Sequence, residues 1–197
     1  VCFDDVSFRY GDADADVLEH ISFTAEPGQT TAVIGSTGSG KSTLINLIPR
    51  FFDVTSGKIT VDGTDVRDMS QKHLRSKIGL VPQKGVLFSG TIATNLRFGN
   101  KNATDAEIAE AAEIAQATEF IESKPERYET PVAQGGTNVS GGQKQRLSIA
   151  RAIAKKPKIY IFDDSFSALD FKTDAALRKA LSEKLGDSTV LIVAQRI

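Results

Sequence analysis

Hydrophobic and polar residues alternate with period two near the start of the chain, take helical spacing through its middle, and give way to short unbroken apolar runs towards its end. Val6, Phe8 and Tyr10 alternate strictly and, with Phe3, predict a first strand that Gly11 and Asp12 close. Residues 18–25 read as a second strand, with Ile21, Phe23 and Ala25 on one face, ended by Pro27 and Gly28. Residues 30–34 form a short apolar run leading into a glycine-rich loop. Residues 41–52 then carry Leu44, Ile45, Leu47, Ile48 and Phe51 at helical spacing. Residues 57–63 predict a strand closed by the turn pair Asp62 and Gly63, and residues 78–81 a short buried strand. Thr104 with Glu107 has the form of a helix-starting capping box, continued by Ile108, Ala111, Ala112 and Ala115. Residues 158–162 and 189–193 are β-rich runs of the kind buried in a parallel sheet. Between them residues 173–185 are amphipathic, with Ala176, Leu177, Ala180, Leu181 and Leu185 directed inward. The pattern is an α/β core interrupted by a helical insert over residues 85–150.

Composition narrows this further. The chain has 197 residues, and its 24 basic and 25 acidic side chains leave a formal charge of −1. That balance points to neither a nucleic-acid nor a membrane-surface partner. Lys155, Lys156 and Lys158 read as a solvated helix end, and Asp174 with Arg178 as an i,i+4 pair. The single cysteine, Cys2, excludes an internal disulfide and reads as a small core residue. The two histidines, His20 and His73, lie far apart and argue against a zinc site. No apolar run approaches the ~18 residues that span a bilayer. The start within a strand-like stretch and the abrupt end at Ile197 suggest one domain cut from a longer protein.

Candidate chemistry begins at the glycine-rich loop. Gly35, Ser36, Thr37, Gly38, Ser39, Gly40, Lys41, Ser42 and Thr43 match GxxxxGK[ST] in full, between an expected strand and an expected helix. Glycines let backbone amides crowd round phosphates, and the helix start adds a favourable dipole. Lys41 would set a positive charge on the β- and γ-phosphates, and the Ser42 hydroxyl would ligate Mg²⁺. No GxGxxG is present, which excludes a dinucleotide-binding Rossmann loop. Ile159, Tyr160, Ile161 and Phe162 end in Asp163 and Asp164. Asp163 would therefore stand at the edge of the sheet and hold Mg²⁺ through water.

Asn138, Val139, Ser140, Gly141, Gly142, Gln143, Lys144, Gln145 and Arg146 closely resemble the signature motif of ABC transporter ATPase domains. Other motifs similar to that family follow in order over nearly the whole chain. The resemblance makes Tyr10 the aromatic that stacks on adenine and sets Val17 with it at the nucleotide. It makes Gln83 the loop glutamine that touches Mg²⁺ and the attacking water, and Ser167, Ala168, Leu169 and Asp170 the loop at a dimer interface. Residues 87–92 and 52–57 look like the exporter branch, and residues 131–136 sit where exporters carry a segment that contacts their membrane domains. The fold implied is a P-loop NTPase (RecA-like) α/β core with an antiparallel β-subdomain, over about residues 1–84 and 151–197. A helical subdomain would fill about residues 85–150 and end in the signature motif. The cofactors implied are ATP and Mg²⁺. The partners implied are a second ABC ATPase domain and transmembrane domains, fused N-terminally, with no nucleic acid. The location implied is the cytoplasmic face of the cell membrane. Ser140, Gly141, Gly142 and Gln143 would complete the partner's nucleotide site.

Two departures from the family pattern bear on function. The position after the magnesium aspartate is normally Glu, proposed as general base; here it is Asp164, one methylene shorter. The histidine expected after the last strand is Gln195, which is neutral at every pH and cannot shuttle a proton. Gln134, where exporters usually carry Glu, is a softer departure. ATP binding needs neither of the first two groups, whereas a base must lie within hydrogen-bond reach of its proton. The expectation is a site that binds Mg-ATP and hydrolyses it slowly, as in one half of a heterodimeric exporter. A homodimer, a regulatory module that clamps ATP, and a soluble ABC ATPase of DNA repair or translation are the alternatives.

Overall fold

The computed structural model describes residues 1–11 and 13–194. Along the chain come β1 (Cys2–Phe8), β2 (Leu18–Thr24), β3 (Thr30–Ile34), α1 (Lys41–Leu47), β4 (Ser56–Val61), β5 (Thr64–Asp65), α2 (Gln71–Ser76) and β6 (Ile78–Val81). Next are β7 (Gly90–Thr91), α3 (Ile92–Leu96), α4 (Asp105–Ile114), α5 (Thr118–Glu122) and β8 (Pro131–Val132). The last elements are α6 (Gly141–Ala154), β9 (Ile159–Asp163), α7 (Phe171–Lys184) and β10 (Thr189–Ala194). Among the described residues they divide into two compact units, the first holding residues 1–11, 13–78, 158–163 and 187–194, the second residues 79–157 and 164–186.

The first unit holds an antiparallel sheet in the order β2-β1-β4-β5. In β1, Phe3 and Val6 are both buried although their parities differ. A register shift between them, with Asp5 at φ 50°, turns the strand so that both face inward. The Asp62–Gly63 turn behaves as its sequence predicts. Both residues have positive φ, 50° and 77°, as a two-residue hairpin with the twist of its strands requires, and Val61 pairs with Thr64. The same unit holds parallel strands in which β10 lies between β3 and β9. Residues 159–162 are buried without alternation, as expected of a strand covered on both faces.

The helix expected over residues 41–52 stops at Leu47. Pro49 has no amide to extend the ladder, and Arg50 turns to φ 55°. Phe51 therefore leaves the inward face; it is 49% exposed, with the Arg75 guanidinium 5.3 Å from its ring centre. Cys2 is half-buried rather than in the core.

In the second unit the capping box of α4 forms in full. The Thr104 hydroxyl accepts the Glu107 amide at 3.2 Å, and Glu107 Oε2 accepts the Thr104 amide at 2.8 Å. Ile108, Ala111, Ala112 and Ala115 are buried, and α4 packs on α6 and α7. On α7 the buried line is Leu177, Leu181 and, just past its end, Leu185, whereas Ala176 is exposed and the inward stripe is narrower than expected. The basic run also differs from expectation. Lys156 pairs with Glu107 at 2.6 Å, and Lys155 packs its side chain over Gly99, where burial pushes its ammonium down. Asp174 and Arg178 pair at 2.7 Å as predicted.

Candidate functional site

The loop between β3 and α1 is shaped by its glycines. Gly38 and Gly40 adopt φ of 82° and 85°, open to glycine at no steric cost. A Cβ on Gly35 would stand 2.8 Å from Ser39 Oγ, and one on Gly40 would stand 3.2 Å from the Val17 carbonyl oxygen. Val17 thus lies against the loop. The Lys41 ammonium turns back into it and donates to the carbonyls of Gly35 at 2.7 Å and Ser36 at 2.6 Å. A cation set among carbonyls at the start of a helix is placed to exchange those oxygens for phosphate oxygens.

Sheet register brings a carboxylate to this loop. Val193 of β10 pairs with Asp163 of β9, and Ala194 pairs with Ile34, the last residue before the loop. Ser42 Oγ donates to Asp163 Oδ1 at 3.0 Å, although the two are 121 positions apart. A hydroxyl and a carboxylate are hard oxygen donors of the kind magnesium takes, so the residues present fit that ion. Among the described residues no group of three or more His, Cys, Asp or Glu side chains is placed to hold a metal. Beside the loop, the Tyr10 hydroxyl lies 3.0 Å from Thr43 Oγ1. The Tyr10 ring stands nearly perpendicular to those of Phe8 and Phe52, at centroid distances of 4.8 and 5.3 Å, and is 38% exposed.

The second unit gathers the remaining sequence candidates. Gln83 Nε2 donates to Asp164 Oδ2 at 3.0 Å. Asp164 has φ 45°, a left-handed conformation that Asp tolerates better than most side chains, and its carbonyl accepts the Ser167 hydroxyl at 2.9 Å. Asp170 caps α7, accepting the Thr173 amide at 3.0 Å and its hydroxyl at 2.7 Å; the hydroxyl above all holds the carboxyl below its usual range. Ser140 caps α6 reciprocally with Gln143: the Ser140 hydroxyl accepts the Gln143 amide at 3.2 Å, and Gln143 Oε1 accepts the Ser140 amide at 3.1 Å. A Cβ on Gly142 would come within 3.5 Å of the Ala168 carbonyl oxygen, and one on Gly141 would meet nothing within 4 Å. Leu169 donates its amide to the Phe166 carbonyl at 3.0 Å, closing the turn before Asp170. Gln134 accepts the Ser89 amide at 3.4 Å. Gln195 lies outside the described residues.

The sequence profile of the ABC transporter family matches residues 18–167, which include the phosphate loop, the Asp163 strand and the Ser140 helix. The chain belongs to the ABC transporter family. An uncharacterised ABC transporter ATP-binding protein of Mycobacterium tuberculosis is 53% identical over 97% of this chain and 33% of its own length. A Staphylococcus aureus protein named for multidrug export, as an ATP-binding/permease protein, is 48% identical over 98% of the chain and 34% of its own length. A bacterial Atm1-family ABC exporter solved with ATP bound superposes with a TM-score of 0.94 at 38% identity, over 99% of this chain and 34% of that one. The chain thus spans about a third of the length of these relatives. The fold is that of an ABC ATPase domain, with a P-loop α/β part, an antiparallel sheet and a helical part.

Sequence reasoning assigned no role to two polar residues. Gln145 and Asn95 are each 2% exposed and spend their side chains on loop backbone. Gln145 sits four residues before the buried Ile149, on the inward face of a helix, and that phase was the available signal. Asn95 receives the Phe88 amide at 2.9 Å and donates to the carbonyls of Phe88 and Thr91.

Proposed function

We propose that this chain is the ATP-binding and ATP-hydrolysing domain of an ABC exporter, acting on the cytoplasmic face of the cell membrane through membrane domains and a second ABC ATPase domain. The observation that carries the reading is the 3.0 Å bond from Ser42 to Asp163 beside Lys41 in a loop of left-handed glycines. That arrangement serves a magnesium nucleoside triphosphate and has no simpler structural use. Lys41 would pass its donors from the carbonyls of Gly35 and Ser36 to phosphate oxygens. Ser42 and Asp163 would hold Mg²⁺, which when bound neutralises charge developing on the phosphates. Tyr10 would take the adenine, with Val17 beside the loop.

Hydrolysis breaks the bond between the γ-phosphorus and its bridging oxygen as water attacks, giving ADP and phosphate, and the water's proton needs an acceptor. Asp164 is the acceptor in this proposal, and it is poorly equipped. Its carboxylate is one methylene shorter than the usual Glu and is held by Gln83. Misplacement by ~1 Å costs ~10²-fold, and a general base supplies ~10²–10⁴-fold. Gln195 adds no proton shuttle. Ser140, Gly141, Gly142 and Gln143, the cap and first turn of a 14-residue helix, would serve the partner's nucleotide, with Ser167, Ala168, Leu169 and Asp170 at the interface between the two domains. The account therefore favours a heterodimer, in which this chain clamps ATP in its own site and completes a faster one.

The test is ATP turnover of the protein alone and then mixed with a candidate partner. Activity that appears only with the partner supports the proposal, and full activity alone rejects the slow-site reading.

A further inference from the structure

Gln145 makes two hydrogen bonds, both to the backbone of one short loop. Its Oε1 accepts the Gly85 amide at 2.8 Å, and its Nε2 donates to the Pro82 carbonyl at 3.1 Å. The side chain is 2% exposed, so neither group has water as a substitute. The two bonds bracket Gln83 and Lys84 and close the loop onto the helix like a clasp. The helix comes so near that only glycine fits at position 85: a Cβ there would stand 2.7 Å from Ser148 Oγ and 3.0 Å from the Lys144 carbonyl oxygen. One turn farther along, the Arg151 guanidinium donates to the Val86 carbonyl and, at 3.3 Å, to the Ser148 hydroxyl. Gln145, Ser148 and Arg151 are three residues apart in turn, so a single face of α6 holds residues 82–86. On its other side the loop is tied to the segment after the β9 strand, because the Ser165 hydroxyl donates to the Val81 carbonyl at 2.8 Å.

The first turn of that same helix is the Ser140–Gln143 capping box. Gln145 follows Ser140 by five residues, ~7.5 Å of helix rise, and hydrogen-bonded helix is stiff over that length. A loop clasped at both ends cannot shift without moving the helix or breaking the clasp.

We infer that Gln145 is a positioning residue that joins the Gln83 loop to the Ser140 end of α6 as one mechanical unit, so that the state of the chain's own nucleotide is passed to the surface it offers its partner. This rests on the function proposed above, in which Gln83 answers to one nucleotide and Ser140 to the other. Gly85 needs no side chain of its own in this device; it needs its amide and the absence of a Cβ. Ser165 fixes the loop's entry, which leaves the clasp as the connection that runs to α6.

The test uses the full-length protein with its partner, comparing the parent with Gln145→Leu, Gln145→Glu, Gln83→Ala and the double variant Gln83→Ala/Gln145→Leu. Three quantities are read: Mg-ATP affinity, turnover, and hydrogen exchange at the Gly85 amide. Gln145→Leu is expected to expose the Gly85 amide to exchange, to leave affinity within about threefold, and to lower turnover ~10²-fold, the cost of ~1 Å of misplacement. Gln145→Glu keeps the acceptor for Gly85 and loses the donor to Pro82, so its turnover is expected to fall between parent and Gln145→Leu. Because the two residues act as one unit, the double variant is expected to be no slower than the slower single variant. Multiplying losses in the double variant, unchanged turnover in Gln145→Leu, or affinity falling in step with turnover and melting temperature in both Gln145 variants would each overturn the inference. The readouts also separate the two proposals. A parent that binds no Mg-ATP defeats the proposed function, whereas a parent that binds it and shows an unprotected Gly85 amide defeats the clasp alone.

Discussion

Lys41 and Asp164 show how much one side chain decides here. The Lys41 ammonium already sits against two carbonyl oxygens, so its charge is placed before any phosphate arrives. Charge-assisted hydrogen bonds contribute ~1.5–3 kcal/mol each, and every 1.4 kcal/mol is about tenfold in affinity. Lys41→Ala is therefore expected to weaken Mg-ATP binding by about tenfold to a hundredfold, read by calorimetric titration, with the melting temperature of the chain little changed. In the function proposed above, Asp164 is the opposite case, a base present but short of its reach. Asp164→Glu is expected to raise ATP turnover by about tenfold to a hundredfold, the range set by the cost of misplacing a base, read by phosphate release. No gain would shift the limiting defect to Gln195 or to the geometry of Gln83. Both positions were legible before any coordinates, because the motifs fix residue types at fixed spacing. The bond from Gln83 to Asp164 was not legible, since nothing in the sequence says that two side chains 81 positions apart meet.

At the level of elements, the caps are the best-determined features. The Thr104–Glu107 box was read from four letters and forms with both bonds made. Thr104→Ala removes a capping hydroxyl and is expected to cost about 1 kcal/mol of stability, within ~0.5–2, read by chemical denaturation. Glu107 also carries the pH signature of this corner. Its bond to Lys156 above all, then its bonds to Thr104, hold its carboxyl down to about 2, against an ordinary value of 4.5. The folded value lies below the unfolded one, so the contribution is complete above pH 4.5 and is lost as pH falls through 2. An NMR titration of the Glu107 carboxyl is expected to give a midpoint near 2; a midpoint near 4.5 would show that these bonds do not persist in solution. The pair from Lys156 to Glu107 spans 49 residues and lay beyond any local pattern. Helix ends were harder than helix starts. The stretch from Ile48 to Phe52 kept an apolar rhythm past the helix, and only the lost amide of Pro49 and the left-handed turn at Arg50 show where it stops. In β1 a strict alternation could not foresee the shift at Asp5, because a bulge changes parity without changing composition.

At the level of the whole molecule, the division into α/β part and helical part followed from the change of hydrophobic period, which is a property of long stretches and survives local errors. Family membership followed from several specific motifs in order, and the match over residues 18–167 agrees. The central claim is that this chain grips a magnesium nucleoside triphosphate with loop amides and Lys41 while its own means of proton removal are weak. Heterodimer pairing, trans donation by Ser140 and the clasp at Gln145 all depend on that grip. The most direct measurement is an isothermal titration of the purified protein with ATP, with and without Mg²⁺, followed by assay of the same sample for released phosphate. The account predicts saturable binding that requires magnesium and weakens at least about tenfold in Lys41→Ala, with little phosphate released over the titration. No magnesium-dependent heat, or rapid release of phosphate by the protein without a partner, would contradict it.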